Sequence, residues 1–492
     1  MTRTQIRRTP HRLEHDVRRV IAKRYLPGEE IGPGGHSRAR LLMQRIMAIP
    51  EAQVEPLLAH TLATYAARHR DFEALLAHHF ALVAHHIPPV PVSRQRMLLI
   101  GSFFTHEYSV EGAALFNPSM VAAPDQGGLR AGEQRFVMSL RATGEGHISS
   151  IEFRSGVVDG ASNVVLDAPG FPLVTGHRTP PSHYVKREFQ LKLTELGGAN
   201  ELSSSVLERL PSHFTGAELE NSLAWLEQNG PPPAISFETT KIMRVLAASS
   251  YLTRFPSDSQ LSERVLFPAG PHETNGMEDA RFVRFADDDG TSRYYATYTA
   301  FDGFEIVPQL IETEDFTVFA VSTLQGVAAQ NKGMALFPRR IRGNYVMLSR
   351  RDRENLHLSI SSDVRHWSEI FDLHQPSEPW ELLQIGNCGS PIETAEGWLV
   401  LTHGVGPMRQ YVLGALLLDL DDPRRVVGRL REPLMSPDHT EREGYVPNVL
   451  YSCGGMRHQD DLILPYGYSD AAIGIAMVSI PELVAELRSQ PA

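Results

Sequence analysis

Residues 331–361 read NKGMALFPRRIRGNYVMLSRRDRENLHLSIS. Within them, NYVMLSR (344–350) and LHLSIS (356–361) are short apolar runs separated by the polar stretch RDREN. Runs of this length, bounded by turn-forming residues, read as strands. The same texture extends in both directions, through RMLLIGSFF (96–104), QRFVMSL, HISSIEF and RYYATYTA, then GWLVLTHG, YVLGALLLDL and DLILPYGY. After residue 250 almost no amphipathic helix lies between the runs. That argues against a doubly wound α/β sheet and for a closed, mainly β architecture. So many short strands exceed a single sandwich, and radial repetition of four-stranded blades is the economical solution.

Two regions read as helical. In 37–90, Ser37 caps a helix running to Met47, and Pro50 and Glu51 begin a second. Val54, Leu57, Leu58, Leu62 and Tyr65 fall on one face of that second helix. Asp71 starts a third, which IPPVPV (87–92) ends. The apolar faces of these helices must be covered, either by the β domain or by a second subunit in a homo-oligomer. His78, His79, His85 and His86 have no carboxylate or cysteine framework around them, so a solvated helix face is expected rather than a metal site. The second helical region is an insert at about 200–249, where Thr215 and Glu218 form a capping box and Gly230 with Pro231–Pro233 forms a stop. The expected division is a helical extension over 1–92 and a β domain over 93–492. An arginine-rich arm at the N-terminus is expected to lead into a helix.

The chain has 492 residues and a formal net charge of −11, which removes the general electrostatic case for binding nucleic acid. Its two cysteines, Cys388 and Cys453, make neither a disulfide framework nor a zinc site. No signal-peptide core follows the basic N-terminus, and no run of about 18 apolar residues is present. A cytoplasmic location, away from membranes, is expected.

The stretch NGMEDARFVRF (275–285) sets Glu278 beside Asp279, with Arg281 two residues on. In an extended strand, neighbouring side chains point to opposite faces, so Glu278 and Asp279 are expected to diverge while Asp279 and Arg281 share a side. Taken alone, the segment reads as a charged turn with a weak ion pair. Elsewhere, Lys332 and Arg350 flank a strand–turn–strand, and His403 and Tyr411 lie in a second one. Lys, Arg, His and Tyr aimed into one pocket would make an oxyanion site suited to phosphate.

The ordered set GMEDARF, NKGMALFP…GNYVMLSR, GSPIETAEGWLVLTHGV, GALLLDLDDPRRVVGR and EGYVPNVLYSCG resembles glycoside hydrolase family 130, the inverting β-mannoside phosphorylases and related β-mannosidases. LFNPSMV (115–121) and SLRA (139–142) resemble that family's first blade, and the likeness spans 97–485. It implies a five-bladed β-propeller with the active site at one end of its central channel. It places the catalytic aspartate at Asp279, with Ala280 standing where the family usually has proline. It implies phosphate binding by Lys332, Arg350, His403 and Tyr411, and sugar contacts by Asn117, Arg141 and Asp470. Glu393 stands where many phosphorylases of the family carry lysine; a carboxylate there would weaken the phosphate site and favour a water nucleophile. The implied activity is phosphorolysis of β-mannosides to α-mannose 1-phosphate, with inorganic phosphate as co-substrate and neither metal nor organic cofactor. The alternatives are hydrolysis by an inverting β-mannosidase and a catalytically silent sugar-binding propeller.

Overall fold

The computed structural model describes residues 3–27, 37–87 and 90–491. The chain is mainly β, and most strands fall into five antiparallel sets in chain order. The first is Ala114–Ala122, Gln134–Thr143 and Ser149–Val158, edged by Val164–Leu166 and Val265–Leu266. The second is Gly276–Ala286, Ser292–Phe301, Ile306–Thr313 and Val318–Thr323, extended by Tyr251–Arg254 and His177–Thr179. One parallel pair, Gly276 with Ser149, joins these two sets into an eleven-stranded sheet. The third set is Lys332–Leu336, Tyr345–Arg350, Leu356–Ser361 and Glu369–His374. In the fourth, Gln384–Asn387 and Ile392–Thr394 both pair with Gly397–Val405, followed by Tyr411–Leu418 and Val426–Arg429. In the fifth, Leu450–Tyr451 and Met456–His458 pair with Asp461–Tyr468, followed by Ala472–Ser479.

The strand Tyr345–Arg350 shows why these segments read as unbroken apolar runs. All six of its residues are buried. Tyr345 and Met347 enter a cluster with Phe285, Tyr295 and Leu310 of the second set. Val346 and Leu348, on the other face, pack with Trp398, Val400 and Leu416 of the fourth. A sheet covered on both faces has no reason to alternate apolar with polar. The same arrangement repeats between every neighbouring pair. Phe153 of the first set meets Phe282 and Phe319 of the second, and Leu413 of the fourth meets Leu464 of the fifth. Phe136 and Met138 of the first set pack against Ile473 and Ile475 of the fifth, which completes the circuit. Each fully buried large side chain here contributes about 1.5–3 kcal/mol, so these five interfaces dominate the packing energy.

Four helices precede the β region: α1 (Arg38–Met47), α2 (Glu51–Tyr65), α3 (Phe72–Val83) and α4 (Arg94–Phe103). Ser37 caps α1 as expected, its side chain accepting from the Arg40 amide. Pro88 and Pro89, part of the expected stop after α3, lie outside the described residues. RMLLIGSFF is not a strand but the body of α4. Ser93 accepts from the Arg96 amide to start it, and Leu98, Leu99 and Ile100 are buried at consecutive positions. Burial at consecutive positions blurs the 3.6-residue period that would have identified a helix. The expected solvated histidine face is also incomplete: His79 is buried, with Nδ1 2.7 Å from Thr105 Oγ1.

The basic N-terminal arm is not helical. Ile6–Glu14 is a strand that pairs antiparallel with Ala472–Ser479 and becomes the outermost strand of the fifth set. Val20–Arg24 pairs with Thr105–Ser109. Between them, Arg19 is fully buried and bridges Glu111 at 2.9 Å and Glu152 at 2.6 Å, while Arg154 closes the group on Glu111 at 2.5 Å. A strand edge and a buried countercharge override the helical propensity of this segment.

The insert begins earlier than expected. It comprises α5 (Lys186–Glu195), α6 (Glu201–Glu208), α7 (Gly216–Asn229) and α8 (Pro233–Ala248), around a core that includes Phe214, Leu219 and Leu223. The Thr215–Glu218 capping box forms, and Gly230 ends α7. A last helix, α9 (Ile480–Ser489), packs on the fourth and fifth sets.

Candidate active site

The first strands of the first three sets share one irregularity. Register shifts fall between Phe116 and Ser119, between Glu278 and Arg281, and between Lys332 and Ala335. A bulge of this kind inserts residues without a ladder partner and re-aims their side chains. Asn117 and Asp279 sit in two of these bulges in the left-handed region, with φ of 49° and 56°. That conformation costs a non-glycine residue about 1–2 kcal/mol, and the surrounding ladders hold it. The Asn117 Nδ2 donates to Asp279 Oδ1 at 2.7 Å, linking the first two bulges.

The bulge overturns the expected divergence of Glu278 and Asp279. One arginine reaches both carboxylates: Arg141 Nη2 donates to Glu278 Oε1 at 2.6 Å and Nη1 to Asp279 Oδ1 at 3.2 Å. Arg141 Nε is held by Ser149 Oγ at 2.9 Å, and its guanidinium lies over the Phe116 ring. Arg281 does not pair with the Asp279 carboxylate. It donates to the backbone carbonyls of Cys388 and Asp279 and to Tyr451 Oη.

A cavity of about 360 Å³ opens here, lined by Asn117, Asp279, Lys332, Arg350, His403, Tyr411 and Asp470 together. Arg141 stands behind Asp279, outside the lining. Lys332 and Arg350 are partners across the ladder of the third set. Arg350 is buried, and its Nη1 lies 3.3 Å from His403 Nε2, so this guanidinium has a neutral imidazole for its neighbour instead of a carboxylate. Gly386 makes that approach feasible: a Cβ there would lie 2.2 Å from Arg350 Cδ and 2.7 Å from His403 Cε1. Burial, then the nearby Arg350, pushes the His403 pKa well below its ordinary value and keeps the ring neutral. Arg350 Nε and His403 Nδ1 have no hydrogen-bond partner among the described residues. Tyr411 stacks on His403, and Gln384 donates to its hydroxyl at 3.4 Å.

The two carboxylates of the cavity wall differ in charge preference. Burial raises the Asp279 pKa, but Arg141 above all, then Arg281, Lys332 and the Asn117 amide, bring it down to about 2. At Asp470 burial outweighs the pull of Arg141 and Arg409 and pushes the carboxyl up to about 6. Asp470 follows Ser469 in a turn where both residues have φ of 49°. That turn is tied down from a distance. Ser469 Oγ donates to the Glu441 carbonyl at 2.6 Å, and the buried Glu441 carboxylate accepts from Tyr466 Oη and from the strand residue Arg8.

Glu393 does not belong to this site. It lies on the short strand Ile392–Thr394, and its carboxylate pairs with Arg339 at 2.7 and 2.9 Å, away from the cavity. An expectation based on its motif position alone could not see that partner. Conversely, Tyr451, Gln384, Arg353 and Arg409 line the cavity and were not singled out. Tyr451 stood within EGYVPNVLYSCG, and the signal was its place in a recognised motif. The other three lie at turns or strand starts, with nothing to mark them in sequence. His272, Asp302 and Glu305 bring three potential metal-ligating atoms within 4.8 Å of one another, but outside the cavity lining. Asp302 Oδ1 there is already engaged by the Phe304 and Glu305 amides. Among the described residues no helix is long and apolar enough to cross a membrane.

Residues 257–489 match the family model described as beta-1,4-mannooligosaccharide phosphorylase (Glyco_hydro_130). A 1,2-beta-oligomannan phosphorylase from Thermoanaerobacter sp. (strain X514) is 33% identical over 236 residues, covering 46% of this chain and 75% of that protein. A beta-1,4-mannooligosaccharide phosphorylase from Ruminococcus albus is 31% identical over 209 residues, covering 40% of this chain and 62% of its own length. The solved beta-1,2-mannobiose phosphorylase of Listeria innocua aligns over 78% of this chain and 94% of its own, at 21% identity and a TM-score of 0.45.

Proposed function

The chain belongs to glycoside hydrolase family 130, and on that premise we propose that it is an inverting phosphorylase of β-mannosides. It transfers a terminal mannosyl unit to inorganic phosphate, releasing α-mannose 1-phosphate and a shortened acceptor. The fold we propose is the five-bladed propeller, with each antiparallel set as a blade; the closed circuit of five interfaces supports it. The two cysteines are buried and free, and we place the protein in the cytoplasm.

One observation carries the functional reading: the buried Asp279 and a cluster of cations share the wall of one cavity. Inverting cleavage needs a proton on the leaving oxygen and a nucleophile on the opposite face. Phosphate is already anionic, so it needs positioning and charge compensation rather than a basic carboxylate. Lys332 and Arg350 provide the charge. Arg350 Nε and neutral His403 Nδ1–H are buried donors without acceptors among the described residues, which suits them to phosphate oxygens. Asp279 is the general acid. A phosphate oxygen attacks the anomeric carbon, the glycosidic C–O bond breaks, and the Asp279 proton passes to the leaving oxygen through a hydroxyl of the bound mannosyl unit. Asn117 and Asp470 orient that unit, while Arg141, expected from the motif to contact the sugar, holds Asp279 from outside the lining.

Without ligand, Asp279 is ionised at neutral pH, which is the wrong state for an acid. Phosphate moves it towards the acid form. A unit negative charge at about 6 Å, in a medium of effective dielectric about 20, is worth about 3 kcal/mol, enough to raise a carboxyl pKa by about 2. That brings the carboxyl part of the way towards neutrality, and the desolvation that bound sugar adds acts in the same direction.

The test is sugar release from β-1,2- and β-1,4-mannobiose with and without phosphate. Release is expected only with phosphate, and Asp279→Asn should lower kcat at least about 100-fold with folding intact. Hydrolysis is the second reading, and Asp470 is the observation on its side: a cavity carboxyl at about 6 is suited to take a proton from water. Sugar release indifferent to phosphate would establish it in place of phosphorolysis.

A further inference from the structure

A second cavity, of about 300 Å³, lies between the helical insert and the second strand set. Phe189 of α5 and Leu246 of α8 contribute its helical side, and Leu252, Val321 and Thr323 its sheet side. Among the described residues, none lines both this cavity and the candidate active site. The helical side also falls outside residues 257–489, the stretch that matches the family model. The insert therefore supplies a wall that the matched region does not contain.

The polar atoms of this cavity are unusually short of partners. Ser322 Oγ, Thr323 Oγ1 and Gln325 Oε1 are buried, belong to lining residues and have no hydrogen-bond partner among the described residues. Thr323 and Gln325 are each only 7% exposed. A buried hydroxyl or amide left unmet is costly, so three in one place call for a partner. The candidate active site holds the same number, at Asn117 Oδ1, Arg350 Nε and His403 Nδ1. The walls are held in place. Lys192 Nζ donates to the Leu324 carbonyl at 2.9 Å, and the Gly326 amide donates to Glu195 Oε1 at 2.6 Å. These bonds pin α5 to the chain on both sides of Gln325, whose own amide donates to the Arg365 carbonyl at 2.8 Å. Polar groups fixed in advance bind a ligand with little ordering cost.

We propose that this cavity is a second binding site, for a neutral polyol of monosaccharide size, separate from the catalytic cavity and independent of the activity proposed above. Its volume lies at the lower bound of ligand pockets, which suits one small molecule and not a chain. Serine and threonine hydroxyls and a carboxamide both donate and accept, as the hydroxyls of a polyol do. Phe189, Leu246 and Val321 offer apolar surface to its C–H groups. Water could meet the polar atoms but would gain nothing from that surface. The charges disfavour an anion. Arg365 is engaged by Glu312, and Glu188 forms no ion pair among the described residues. A phosphate or carboxylate entering here would meet carboxylates without a free cation. Burial raises the Glu188 pKa against the pull of Arg365, so this carboxyl behaves less as a fixed charge and more as a hydrogen-bonding group.

The experiment is calorimetric titration of the full chain with D-glucose, D-mannose and myo-inositol, none of which is charged. The wild type is expected to bind at least one of them with a Kd below about 1 mM. Thr323→Val keeps the shape of a buried strand residue and removes its hydroxyl, and Glu188→Ala removes the unpaired carboxylate. Together they are expected to weaken that binding at least about tenfold, or to remove one binding equivalent per chain. Absence of binding for all three compounds overturns the proposal and leaves the polar atoms to water. Equal binding by wild type and variant also overturns it, because the ligand then occupies another cavity. Should the double variant lose its cooperative unfolding transition, Ser322→Ala at a half-buried position repeats the comparison. A loss of at least about threefold there upholds the site, and equal binding overturns it.

Discussion

Replacing Arg141 by methionine tests the electrostatics of the site most directly. Arg141 is the cation that both Glu278 and Asp279 share, at 2.6 and 3.2 Å. It is the foremost reason that the Asp279 pKa lies near 2 and not at its ordinary 3.8 or above. That difference corresponds to about 2 kcal/mol of folding stability. Because the folded pKa is depressed, the contribution is fully present above about pH 4 and is lost as the pH falls through 2. In Arg141→Met, burial is opposed only by the weaker cations, and the Asp279 carboxyl moves up. Leaving buried carboxylates without their cation costs about 3–5 kcal/mol at pH 7.5. The penalty shrinks at pH 5, as the carboxyl takes up a proton. Urea-unfolding midpoints and slopes of both proteins at the two pH values measure it. An equal loss at pH 7.5 and pH 5, or a loss under about 1 kcal/mol at pH 7.5, would refute the assignment of Arg141 as the controlling charge.

Two further outcomes are expected. Glu393→Gln should change the KM for phosphate less than about twofold, since its carboxylate faces Arg339 outside the cavity; a rise above about fivefold would return Glu393 to the anion site. Arg8→Met removes the bidentate partner of Glu441 and loosens the Ser469–Asp470 turn. It should raise the KM for mannoside while leaving that for phosphate in place, with a stability loss of about 1–2 kcal/mol; separate variation of the two substrates checks this, and equal effects on both would show a merely global role.

Much of the β architecture was legible because each strand carries its own boundaries. RYYATYTA and LHLSIS are too short for helices and are bracketed by turn residues. Caps were equally local: Ser37 and the Thr215–Glu218 pair act within four residues of themselves. What sequence could not show was decided at a distance. RMLLIGSFF became α4 because neighbours cover Leu98, Leu99 and Ile100 in succession. The N-terminal arm became a strand because Ala472–Ser479 offers it an edge. Alternation failed at Glu278 and Asp279, where a bulge adds a residue and sends both carboxylates to Arg141. The motif around Asp279 was visible, but its lowered pKa came from Arg141, 138 positions away in the chain. Glu393 was misplaced for the same reason: its partner Arg339 lies on another strand set.

The pairing of Ile6–Glu14 with Ala472–Ser479 has a consequence for biosynthesis. The segment that completes the last sheet leaves the ribosome well before the strand it pairs with, Arg7 and Met477 being 470 positions apart. At about 5–20 residues per second, the wait is on the order of half a minute to a minute and a half. An orphan strand invites pairing with other nascent chains. Pro10 and the guanidinium groups of Arg7, Arg8 and Arg12 in this segment are features that keep such an edge solvated until its own partner emerges.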